Sequence, residues 1–139
     1  MNASEKTLEG SCLCQKVRYR ITGKVGPLTH CHCTHCRKTH GAAFASYLDV
    51  PRENLTFVSG EKDLVTYQAE SGTKRGFCPD CGAVITCWGD DESKVIEIAA
   101  GTLDTPLGKI EAHHIWVRSR VPWYEIRDGF SQHPEGSQS

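Results

Sequence analysis

Seven of the chain's eight cysteines lie in three clusters: Cys12-Leu13-Cys14, Cys31-His32-Cys33-Thr34-His35-Cys36 and Cys78-Pro79-Asp80-Cys81-Gly82. A structural zinc ion is closed by four protein ligands, whereas a catalytic one keeps three and leaves a position for water or substrate. Seven clustered thiols therefore read most economically as one closed site and one open site. Cys-x-Cys spacing is too tight for an easy internal disulfide, so metal binding is the expected use of these pairs.

Cys78-x-x-Cys81 followed by Gly82 has the form of a zinc knuckle, in which two sulfurs face one ion and the chain turns tightly behind them. Cys12 and Cys14 complete that closed site in the favoured pairing, aimed the same way by a bulge at the start of a strand. A rival pairing exchanges them for Cys31 and Cys33. Under the favoured pairing the open site falls to Cys31, Cys33 and Cys36, which one turn of chain can present to one ion. Candidates to close it instead are Cys87, His32, His35, His40 or one of His113 and His114. Three thiolates on Zn²⁺ leave a formal charge of -1, which weakens Lewis acidity toward water and favours capture of a soft donor such as a substrate thiol.

Other side chains are candidates by type. Arg37, Lys38, Arg75, Arg118 and Arg120 could balance the site's charge or hold a carboxylate, against the alternative that each is a solvated surface charge. Trp116, Trp123 and Tyr124 read as pocket walls or as core. Adjacent residues of a strand point to opposite faces, so at most one of His113 and His114 can reach a given site. Cys87, mid-strand between Thr86 and Trp88, reads as a small buried hydrophobe.

The elements that must position these groups are short strands. Val17, Tyr19 and Ile21 alternate with Arg18, Arg20 and Thr22, and further strands are predicted over 43–50, 55–58, 64–69, 84–88, 95–99 and 115–117. Gly89-Asp90-Asp91 is a predicted hairpin turn. Only Thr34 to His40 reads as helical. The predicted fold is all-β, mainly antiparallel, a sandwich or open barrel. At 139 residues one domain is expected, over residues 8–130. Flexible ends are expected at 1–7 and 131–139, where the sequence is polar.

Composition narrows the function classes. The formal net charge is -1, from 16 basic and 17 acidic residues, so the overall basic footprint of a nucleic-acid binder is missing. No apolar run approaches the roughly 18 residues of a membrane span. The polar N-terminus lacks the apolar core of a secretion signal, so a reducing, cytoplasmic setting with free thiols is expected.

Several motifs occur together: Gly10-Ser-Cys-x-Cys14, His30-Cys-His-Cys-x-x-Cys-Arg-Lys38, Gly41-Ala-Ala-Phe44, Arg75-Gly-Phe-Cys-Pro-x-Cys-Gly82 and Ser119-Arg-x-Pro-Trp123. In this order they resemble the glutathione-dependent formaldehyde-activating enzyme family, also called the Gfa or centromere-protein-V-like domain, over about residues 8–130. The resemblance implies an Mss4-like zinc-bound β fold. It implies structural zinc at Cys12, Cys14, Cys78 and Cys81, and catalytic zinc at Cys31, Cys33 and Cys36. It further implies a carbon–sulfur lyase-type enzyme that joins glutathione to formaldehyde as S-hydroxymethylglutathione. The alternative is a non-catalytic module with two structural zincs that contacts protein or nucleic acid, as in the centromere-associated relatives. A zinc-linked thiol redox sensor using Cys33 or Cys36 is a third reading.

Overall fold

Strands β1 (Leu8–Ser11) and β2 (Arg18–Ile21) pair antiparallel, and β2 pairs antiparallel with a later strand, β5 (Leu55–Ser59). Tyr19 and Ile21 are buried while Arg18 and Arg20 are exposed, the period-two pattern of a sheet with one dry face. The computed structural model describes residues 7–136. They form two compact units: the chain up to Gly26 together with Leu48–Gly108, and Pro27–Tyr47 together with the chain from Lys109 onward.

The β1–β2–β5 sheet belongs to the first unit, as does an antiparallel ladder of β6 (Val65–Gln68), β7 (Lys74–Phe77), β8 (Val84–Trp88) and β9 (Val95–Ala99). Its core collects Val17, Tyr19, Ile21, Leu48, Val50, Ile85 and Ile98, each at most 1% exposed. Gly10 is dictated by that core. A Cβ there would run into Cζ and Oη of Tyr19, whose hydroxyl is hydrogen-bonded to Thr102 Oγ1 at 2.6 Å. The second unit contains β3 (Leu28–Cys31), the helix α1 (Thr34–His40), β10 (Ala112–Ile115) and β11 (Ser131–Gln132). Strand β4 (Ala45–Pro51) begins in the second unit and ends in the first.

The all-β expectation holds: the described residues contain many short strands, one α-helix and a few 3-10 turns. The ladders of the first unit are antiparallel. In the second unit, however, β10 runs parallel to both β3 and β11. The predicted helix and the strands at 84–88 and 95–99 have the observed bounds. The strand expected at 115–117 is displaced: β10 covers Ala112–Ile115, Trp116 turns left-handed at φ 58°, and Val117–Ser119 is a 3-10 turn. Strands β1, β3, β7 and β11 were not anticipated. Lys74-Arg75-Gly76-Phe77 has no apolar alternation and becomes a strand through its ladders to β6 and β8. Residues 131–136, read from sequence as a flexible tail, carry backbone pairing. Beyond β11, the N–H groups of Val117 and Trp116 donate to His133 and Glu135 carbonyls. The expected flexible segment 1–7 lies almost wholly outside the described residues, and so do 137–139.

Two stability tests follow. Overpacking a filled core costs about 1–3 kcal/mol, so Gly10→Ala should lower the denaturation midpoint. Shrinking the obstructing ring in Gly10→Ala/Tyr19→Leu should make the two changes non-additive, and strict additivity would remove the Gly10–Tyr19 contact as the cause. Glu97, facing Cys87 across β8 and β9, is pushed up to about 7 by burial first and then by the Asp49 charge. Its folded value lies above the unfolded one, so the native state holds a proton that the unfolded chain releases sooner. Stability should therefore decline as pH rises from the unfolded value through about 7, by roughly 3 kcal/mol. Glu97→Gln should flatten that slope in denaturation measured between pH 5 and 8.

Candidate metal centres

None of the eight cysteines is in a disulfide. The first unit gathers the sulfurs of Cys12, Cys14, Cys78 and Cys81 within 4.8 Å of one another. Cys12–Cys14 and Cys14–Cys78 are each 3.7 Å apart. A tetrahedron with Zn–S bonds of about 2.3 Å has edges of about 3.8 Å, so this spacing suits one zinc ion. Of the two pairings open from sequence, the one joining Cys12 and Cys14 to Cys78 and Cys81 is brought together.

Local backbone explains the aim. Cys12 and Cys14 sit on the β1–β2 connection, closed by Cys12 N–H to Val17 O at 3.0 Å and by Gln15 at φ 67°. A turn, rather than the expected bulge, directs both sulfurs. The knuckle closes through Gly82 N–H to Cys78 O at 2.7 Å and Cys78 N–H to Ala83 O at 3.0 Å. Gly82 sits at φ 78°, a conformation most side chains resist. Val17 N–H donates to Cys12 Sγ at 3.3 Å. The backbone N–H of Ala83, then that of Cys14, pulls Cys81 down to about 6. Lys16 pairs with Asp80 across this turn at 2.8 Å.

In the second unit, Cys31 ends β3, Cys33 is the N-cap of α1, and Cys36 lies in its first turn. Their sulfurs also lie within 4.8 Å of one another. The helix starts where Cys33 Sγ accepts the Cys36 N–H at 3.3 Å, and it stops at left-handed Gly41. Thiol donors from Cys31 and Cys36 pull Cys33 down to about 2, and the same crowding pushes Cys31 well up. Three sulfurs this close cannot all be anionic without a cation among them. Donor type and spacing thus fit a zinc ion in both clusters. No fourth Cys, His, Asp or Glu among the described residues joins the trio within that distance.

The residues offered to close the trio are placed elsewhere. Cys87 is buried in β8 of the first unit. His35 is exposed. His40 Nε2 bonds the Tyr47 hydroxyl at 2.8 Å. His32 and His114 are each 1% exposed and bond one another, Nε2 to Nδ1, at 2.8 Å. His114 Nε2 in turn meets Asp128 Oδ2 at 2.8 Å. A carboxylate only accepts, so with one proton per ring His114 carries its hydrogen on Nε2 and His32 donates from its own Nε2. The His32 Nδ1 lone pair is left buried without a partner. Burial first, then the His114, His30 and Arg120 charges, pushes His32 down to about 4. Burial likewise lowers His30, whose Nδ1 contacts Ser46 Oγ at 2.8 Å. Burial pushes Asp128 up, but hydrogen bonds from His114 and the Phe130 N–H outweigh it and hold it below the ordinary range.

Asp128 and Ser46 had no spacing signal in the sequence, and only the fold assembles them with Phe44, the last residue of the Gly41-Ala-Ala-Phe44 motif, whose ring packs 4.7 Å from that of His32. Of the pair His113–His114, one enters this network, as strand alternation requires. Trp116, Trp123 and Tyr124 are exposed and so are not core. Arg75 is buried in β7, Arg118 pairs with Glu135, and Arg120 donates to Val117 O at 3.2 Å.

Known proteins share this pattern. Residues 7–119 match the family model described as glutathione-dependent formaldehyde-activating enzyme. A Halomonas elongata protein named "Putative glutathione-dependent formaldehyde-activating enzyme" is 31% identical over 127 residues, which cover 86% of this chain and 80% of that protein. Proteins of the same printed name from Aspergillus flavus and Aspergillus oryzae are each 34% identical over 73 residues, covering 51% of this chain and 38% of theirs. A crystal structure of a Rhodobacter sphaeroides protein shares the fold, with a TM-score of 0.59 at 20% identity, over 75% of this chain and 98% of that one. With clustered thiols, β fold and sequence likeness agreeing, this chain belongs to the glutathione-dependent formaldehyde-activating enzyme family.

Proposed function

We propose that the chain joins a small thiol, glutathione, to formaldehyde or a related small aldehyde as a zinc-dependent enzyme of the carbon–sulfur lyase type. The family and the name printed for the Halomonas protein support the substrate pair. One observation carries the chemistry: Cys31, Cys33 and Cys36 converge while no fourth protein ligand among the described residues joins them. Zinc bound there would supply an open position at which a substrate thiol sheds its proton and stays nucleophilic. In the overall reaction the thiol sulfur forms a bond to the aldehyde carbon, the C=O bond becomes C–OH, and the thiol proton ends on that oxygen. No redox equivalent is needed.

The chain's own residues hold and orient. Cys31, Cys33 and Cys36 approach from one side, fixed by the end of β3 and the start of α1. Orientation of thiol and aldehyde within reach supplies the rate gain over solution. His30 and His32, held toward their neutral forms by burial, add no positive charge of their own near neutral pH. The set Cys12, Cys14, Cys78 and Cys81 has the role of a structural centre, because metal binding there would tie the β1–β2 connection to the knuckle and add to folding free energy.

The purified protein should hold two zinc ions per chain. Cys33→Ser should retain one, and release to a chromophoric chelator should lose its faster phase, because three thiolates hold less firmly than four. Cys78→Ser should instead lower the thermal midpoint sharply. Adduct formation from glutathione and formaldehyde should exceed the spontaneous rate, and Cys33→Ser should return it to background. Equal rates for the two proteins would leave a non-catalytic zinc module as the surviving description.

A further inference from the structure

We propose that the hollow beside α1 lined by Arg37, Lys38, Gly41, Ala42, Val121 and Trp123 is an anion subsite for the glycyl carboxylate of the thiol substrate. This rests on the proposed reaction at the three cysteines and names what selects the thiol.

The hollow, of about 230 Å³, is smaller than the roughly 300–1,000 Å³ of sites that enclose a whole small ligand. It suits one end of a tripeptide. Its position follows from the helix. Arg37 lies one turn beyond Cys33, its N–H donating to Cys33 O at 3.0 Å, and side chains four apart share a helix face, so the guanidinium stem starts about 5.4 Å along the helix from a trio residue, with Lys38 next in the chain. The glycyl carboxylate of glutathione lies one peptide unit beyond its cysteine, about 4–7 Å of reach. A ligand anchored by sulfur at the trio can therefore place that carboxylate over the end of α1.

The cations there are available. Among the described residues neither Arg37 nor Lys38 forms an ion pair with a carboxylate. Arg37 Nη2 donates to Thr34 Oγ1 at 3.3 Å, while its Nε is buried and has no acceptor. A guanidinium whose terminal N–H donors meet no carboxylate can take an anion with two oxygens, which a carboxylate supplies. Val121 is buried at the hollow's edge, and the Trp123 ring stands 71% exposed, an apolar wall for the peptide unit leading to the carboxylate.

Calorimetric titration of the zinc-loaded protein separates the possibilities, with glutathione, its glycyl ethyl ester and 2-mercaptoethanol as probes. The ester keeps the thiol but loses one carboxylate. Glutathione should bind about tenfold or more tightly than the ester, and this gap should shrink with added salt. Arg37→Ala and Lys38→Gln should each weaken glutathione by about tenfold while leaving 2-mercaptoethanol unchanged, and the double variant should abolish the gap. Arg37→Lys, which keeps the charge but not the planar fork, should recover only part. Lys38 is exposed, so its variant should fold, and two zinc ions per chain in every variant verifies the metal centres. Equal binding of glutathione and ester, or a gap that survives the double variant, would overturn the subsite while Cys33-dependent thiol binding left the parent reaction standing. No binding of any thiol would sink the parent reaction and the subsite together.

Discussion

Thiolate sulfurs repel one another, and this chain packs them at contact distance twice. With S–S separations of 3.7 Å in one cluster and mutual distances within 4.8 Å in both, the charges are tolerable only with a cation between them. Within each cluster the proton affinities split, Cys33 going down as Cys31 goes up. Each charged sulfur raises the cost of charging the next, so the crowded thiols cannot all ionise alike. Strands, turns and helix cap in both units serve to bring these sulfurs to that distance.

A metal ion held by the four sulfurs would add much here because the strands are short. Structural zinc in small domains contributes about 10–16 kcal/mol of apparent binding free energy, comparable to the whole net stability of an ordinary domain. Cys12 and Cys78 are separated by 66 positions in sequence yet flank one small volume. Closing so long a loop through an ion would add to the fold what strands of four or five residues cannot. The core around Tyr19, Ile85 and Ile98 is dry and well filled, and its packing constrains the β1–β2 turn that carries two of the sulfurs.

The second unit holds its trio by a different device. His32 lies between Cys31 and Cys33, and its ring is fixed by His114, which is fixed by Asp128. Anchoring that imidazole anchors the turn from β3 into α1, so the cysteine-bearing loop has a protein anchor for its shape. Burial holds His32 and His30 away from their charged forms near the trio, which leaves the cationic side chains of α1 as the positive partners for an incoming anion.

The cysteine clusters were readable from spacing because thiols that converge from one turn must be near in sequence: Cys-x-Cys, Cys-x-x-Cys and a following glycine leave little geometric freedom. The strands at 84–88 and 95–99 and the helix at 34–40 were legible for a similar local reason, through apolar runs bounded by turn residues or a cap with a glycine stop. Which distant pair completed the four-sulfur cluster was open until the fold chose Cys78 and Cys81 for Cys12 and Cys14. Strand β7, the parallel pairing of β10 with β3, and the Asp128–His114–His32 chain depend on pairing between segments as much as 84 residues apart, as Ala112 is from Leu28, and no local pattern encodes them. Nor could spacing say that Cys87, His40 and His114 would be engaged away from the trio. Local chain geometry settles what a turn can grip; only the packing of remote strands settles what is kept out of its reach.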